Sequence, residues 1–231
     1  MVTYEEVLAE LYSLSDKNFA DFQRRIIADN KLEIIGVRTP DMRRLAKKYK
    51  GEYAAFASFE ERFYEVVFIK LTLAAQLPLK EFLSVSDSCV NSLTDWALCD
   101  CFAPACIQKN REEYIDFIKR YLCCENGYNG GEYVRRFALT TLLHFYVEEK
   151  YLPLISESIQ NCNPNKYYVM MAAAWLLAEV LIKHYEVGLQ ILQSTTCDVK
   201  VRNKAISKAC DSFRVTKEQK DFLKSLRVKN G

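Results

Sequence analysis

The stretch Thr94-Asp95-Trp96-Ala97-Leu98-Cys99-Asp100-Cys101-Phe102 holds the residues with most chemistry to offer. Trp96 and Asp100 stand four apart, so a helix would set them on one face, one turn apart. An indole face attracts cations, and a carboxylate steadies positive charge that develops during a reaction. Arg136 and Trp175 continue the series, at intervals of about 40 residues. Two indoles, a carboxylate and a guanidinium would be an unusual set for a surface that only scaffolds. Asp95 is a competing carboxylate, but it falls on a different helical face from Asp100 and suits the start of the helix. Cys99 and Cys101, with Cys106 downstream, fit no zinc spacing, and a helix would spread these thiols around its axis, so no metal is expected. His144 and His184 are isolated in amphipathic stretches and receive no catalytic role.

Gathering these four residues requires helices that occupy matching places in successive repeats. The chain favours helices. Its 7 Gly and 5 Pro in 231 residues fall well below the usual ~7% and ~5%, too few for many hairpins. Start signals recur. Thr3 and Glu6 form a capping-box pattern, and Asp16 can cap the helix that follows it. Thr39-Pro40 places proline in a first turn. Ser58 with Glu61 predicts one long helix over 59–76. Strand-like alternation is nearly absent, and the Gly/Asn cluster at 125–132 reads as a loop.

The repeats carry the fold. Val134-Arg135-x-x-Ala138-Leu139 is echoed by Val169 with Ala173-Ala174, and again by Val201-Arg202-x-x-Ala205-Ile206. The offsets are 35 and 32 residues, and each copy is followed by a shorter amphipathic helix. Paired helices at such a period stack their apolar faces on one another. The expected fold is all-α: a single domain over 1–231, an α–α superhelix of antiparallel HEAT- or armadillo-like pairs, about six in number.

Composition narrows the function. With 32 Lys+Arg against 30 Asp+Glu, the net charge is +2, which argues against a tail that grips polyanions but permits a local basic face. Nine cysteines, an odd number, follow a charged, amphipathic N-terminus unlike a signal peptide. They are expected to be reduced, buried thiols of a cytoplasmic protein, Cys123 and Cys124 among them. No apolar run reaches the ~18 residues a membrane helix needs.

Four stretches together resemble a known family: GVRTPDMRRLAKKY at 36–49, DWALCDCFAP at 95–104, YVRRFAL at 133–139 and YYVMMAAAWLLAE at 167–179. They are similar to the AlkD-type family of HEAT-like DNA alkylation-repair glycosylases, over roughly residues 15 to 228. The resemblance implies removal of N3- or N7-alkylated purines from double-stranded DNA by a monomer, without cofactor or membrane. It implies that Asp100 stabilises an oxocarbenium-like sugar, and that Trp96 and Trp175 attract the cationic base and pack on deoxyribose. Arg136 would hold a backbone phosphate, and no base-binding cavity is needed. Arg43, Arg44, Lys47, Arg135, Arg202 and Lys204 would hold the duplex. Met170 and Met171 stand where better-known relatives carry polar or basic groups.

Plainer readings stay open. Trp96 and Trp175 suit a core, Asp100 could cap a helix or pair with a buried arginine, and Arg136 suits an ordinary surface. The basic run at 43–48 suits a solvated face. The alternatives to a glycosylase are a non-catalytic module that binds damaged or distorted DNA and a protein-interaction scaffold.

Overall fold

The computed structural model describes residues 2–27, 31–123 and 131–228. Among them every regular element is a helix, as expected of an all-α chain; a lone bridge between Glu33 and Phe63 is the one strand-like pairing there. The chain divides into two compact units, Met1–Tyr114 and Ile115–Gly231.

In the first unit run α1 (Tyr4–Ser13), α2 (Lys17–Ile26), α3 (Thr39–Lys48), α4 (Tyr53–Ser58), α5 (Tyr64–Ala74), α6 (Leu79–Asn91), α7 (Trp96–Cys101) and α8 (Cys106–Lys109). The boundary falls inside α9 (Arg111–Cys123). Thr3 and Glu6 form the expected capping box, and Asp16 caps α2 by accepting from Phe19 N at 3.1 Å. Ser58 with Glu61 does not open a helix. Ser58 closes α4, its hydroxyl donating back to Ala55 O at 2.7 Å, and α5 starts only at Tyr64. The physical reason lies in Glu61 and the bridge. Glu61 turns away to Lys70 and to Ser92 Oγ, at 2.7 Å from the latter, and the 62–64 backbone pairs with Glu33.

α5 is the centre of this unit. It is buried all round except at Thr72, and α3, α4 and α6 pack on it. Two of its buried groups are charged. Glu65, wholly buried, accepts from the backbone N–H groups of Ile35 (3.1 Å), Gly36 (2.8 Å) and Val37 (3.2 Å). Burial still pushes its carboxyl above the usual range, because three N–H donors do not fully replace water. Gly36 sits at φ +100°, and a Cβ there would lie 2.5 Å from Asp16 O. Only glycine fits that conformation and that approach.

The second unit continues with α10 (Glu132–Phe145), α11 (Leu152–Gln160), α12 (Tyr167–Lys183), α13 (Tyr185–Gln193), α14 (Val199–Asp211) and α15 (Lys217–Ser225). A short 3-10 turn at Glu149–Tyr151 leads into α11. The three sequence repeats are α10, α12 and α14. Each buries the same positions: Val134, Val169 and Val201, then Ala138, Ala173 and Ala205. α12 packs between α10 and α14, and the shorter α11, α13 and α15 pack on α12, α12 and α14. Ala172 to Ala174 let the backbones approach closely, and so does Gly188, whose Cβ would lie 2.8 Å from Leu181 Cα.

The described cysteines are all thiols. Cys89, Cys99, Cys162 and Cys197 are buried as expected, but Cys101 and Cys123 are exposed. Cys123 ends its helix at the surface rather than in the core. Cys124 and residues 125–130 of the expected loop lie outside the described residues.

Candidate functional site

In the first unit the site begins with Asp95. It is the N-cap of α7, and its Oδ1 accepts from Ala97 N (2.8 Å) and Leu98 N (3.0 Å). A capping carboxylate satisfies orphan amides and suits the positive end of the helix. The cap starts the helix one residue before Trp96, so Trp96 takes the first helical position and Asp100 follows one turn on. Both are half-buried, within reach of solvent. Trp96 Nε1 donates weakly to Ile26 O at 3.5 Å. Asp95 itself is only 2% exposed. Burial pushes its carboxyl up to about 6; the two amides oppose the rise, and the Asp100 carboxylate adds to it.

Arg43 comes to this helix from α3. Its guanidinium bonds the Cys101 thiol and pulls the thiol's pKa down against the upward push of desolvation, which prevails. The structure thus brings Trp96, Asp100 and Arg43 to one short helix. Arg44 pairs instead with Asp41 at 2.9 Å, and Lys47 is exposed on α3.

In the second unit, Arg136 is 6% exposed, and its Nη1 donates to Tyr168 O at 2.8 Å, tying α10 to the first turn of α12. Arg135 donates to Asn161 O at 3.2 Å and lines a groove of about 760 Å³ with Lys119, Glu157 and Ser158. Trp175 is half-buried on α12. The His144 ring meets it edge-on, with centroids 6.0 Å apart, and Lys208 Nζ lies over its face at 5.5 Å. A shallow cleft of about 240 Å³ opens there, lined by Trp175, Glu179, Lys208 and Asp211. Arg202 is half-buried and donates to Ser194 O at 3.0 Å, while Lys204 is exposed on α14.

Sequence reasoning missed two groups and the burial of a third. His144 and Lys208 flank Trp175 from neighbouring helices, a placement legible only from the i,i+4 and repeat registers taken together. Asp95 was recognised as a helix-start carboxylate, but its near-complete burial carries no sequence signal. Among the described residues no cluster of His, Cys, Asp and Glu could hold a metal ion. No helix among them is long and apolar enough to cross a membrane.

The described part of the chain is all-α, with one half-buried indole in each unit. Its family follows from a direct comparison: residues 7–208 match the DNA alkylation repair enzyme family. The chain belongs to that family, and DNA is its partner. No curated protein matches it in sequence.

Proposed function

We propose that the protein is a DNA glycosylase that excises cationic N3- or N7-alkylated purines from duplex DNA. The observation that carries this reading is the pair on α7: Trp96 and Asp100, one turn apart and open to solvent, in a chain of this family. An alkylated purine carries positive charge and leaves readily. Departure of the base leaves an oxocarbenium-like sugar, which Asp100 stabilises while it orients the attacking water. Trp96 and Trp175 pack on deoxyribose and attract the cationic base. Arg136 contributes to the backbone contact, and Arg43, Arg44, Lys47, Arg135, Arg202 and Lys204 hold the duplex. No metal, cofactor or base-flipping cavity enters the chemistry. The reading takes residues 1–231 as one HEAT-like repeat domain acting as a cytoplasmic monomer.

One observation favours a second reading, DNA binding without catalysis. The Arg136 guanidinium is engaged with Tyr168 O in the interior, so less of it is available to a phosphate. Release of 7-methylguanine and 3-methyladenine from a duplex separates the two. Release that depends on Asp100 supports the glycosylase. Salt-dependent binding with no release supports the binding module.

A further inference from the structure

Most of α12 faces protein on every side, and its few wet positions are informative. From its start they are Tyr167, Tyr168, Met171 and Trp175; charged side chains come only later, at Glu179 and Lys183. The single solvent-reaching stripe of a buried helix ordinarily carries charged residues. Here its first two turns carry aromatics and a methionine. Tyr168 and Trp175 are seven apart, so they share a face about 10 Å apart along the axis.

The Tyr end of the stripe is a cluster. The Tyr133 ring, from the first turn of α10, lies 5.5 Å from that of Tyr168, and the Tyr167 ring lies 5.2 Å from it. Tyr167 is 58% exposed, whereas Tyr121, Tyr146 and Phe137 of the same unit are fully buried. The cluster is held from below. Arg136 bonds Tyr168 O, and Glu132 Oε1 accepts from Tyr168 N at 2.7 Å.

We infer that Tyr133, Tyr167 and Tyr168 form a second DNA-binding station, which takes an unpaired nucleobase by stacking, two helical turns from Trp175. The inference rests on the reading that the Trp175 face meets DNA. Two features point to a base rather than a phosphate. The Glu132 carboxylate already occupies the amide at the α12 start, where a phosphate would otherwise bind. The groups left to a ligand are flat rings, which stack on any base. Cations border both ends of the stripe, Lys166 at the N-cap of α12 and Lys208 over Trp175, and suit the flanking backbone. A duplex distorted by damage would supply the unpaired base.

The test uses the full chain and a duplex carrying one bulged 2-aminopurine, beside its fully matched counterpart. Binding of the bulged duplex is expected to quench 2-aminopurine. Tyr167→Ala should remove the quenching and weaken that binding about tenfold, the effect of one lost stacking partner, with matched duplex changed by less than about twofold. Tyr167→Phe keeps the ring and should behave as the native chain does, which guards against misfolding as the cause. Equal affinity of Tyr167→Ala and native protein for the bulged duplex, or equal losses on both duplexes, would overturn the station. Quenching by a native chain that releases no alkylated base would leave the station standing and remove the glycosylase. A native chain that binds neither duplex would remove both.

Discussion

α5 and α12 occupy equivalent roles in their units, and they are buried with opposite sets of residues. α12 presents alanines and aliphatic side chains to α10 and α14, and its buried positions hold no charge. α5 buries Glu65 and Lys70. The difference follows from what each helix must cover. α12 lies among helices whose amides are already bonded within their own turns. α5 lies against the irregular segment at 34–37, whose N–H groups have no helical or strand partner. A buried amide without an acceptor is costly, and the Glu65 carboxylate accepts from three of them at once. A repeat can be built from apolar matching alone, whereas a non-repeating junction needs a polar clamp.

This contrast breaks most sharply at the clamp. Glu65→Ala should cost about 3 kcal/mol or more in urea unfolding, because it leaves buried amides without acceptors. Truncation of a buried α12 alanine to glycine should cost less, about 1–2 kcal/mol, from helix propensity and one lost buried methyl. Glycine substitutions sharpen the same point. Gly36→Ala combines a left-handed backbone with a clash against Asp16 O, and should lower stability by about 3 kcal/mol. Gly188→Ala meets Leu181 from a helical backbone and should cost about 1–2 kcal/mol, since only packing must give. Thermal or urea melts of the two variants rank them.

A smaller effect concerns the site helix. Asp95 has a folded pKa near 6, raised above the usual carboxylate value. A raised acid favours the folded state fully at low pH, and that advantage is lost as pH rises through about 6. Asp95→Asn keeps an oxygen acceptor for Ala97 and Leu98 while removing the charge. It should therefore match or exceed native stability at pH 7.5, by about 1–2 kcal/mol at most, and the gap should shrink as pH falls below about 6 and close only below about 4. A gap independent of pH would show that the carboxyl titrates normally.

The same contrast explains what the sequence made legible. Val134, Val169 and Val201 revealed the stacking of α10, α12 and α14, because a stacked repeat writes its packing into a fixed period. The Thr3 and Asp16 caps were equally plain, since a cap acts within four residues. The break before α5 was not. Ser58 and Glu61 have the right spacing for a capping box, but Lys70 and Ser92 compete for Glu61 across the fold. In the site, the turn that pairs Trp96 with Asp100 was readable from i,i+4 spacing. The burial of Arg136 beneath Tyr168 was not, because an arginine next to Arg135 has no local mark of being inside. Arg43 reaches Cys101 through the packing of α3, which lies far from α7 in sequence.

The most direct measurement is the single-turnover rate of 7-methylguanine release at saturating duplex, for the native chain and Asp100→Asn. The account predicts a rate about 10²- to 10³-fold lower in the variant, the usual cost of losing one preorganised electrostatic contact to the transition state. DNA affinity should stay within about twofold, since Asp100 acts on charge that develops only during bond cleavage. Equal rates in the two proteins would contradict the role given to Asp100 and, with it, the chemistry assigned to α7.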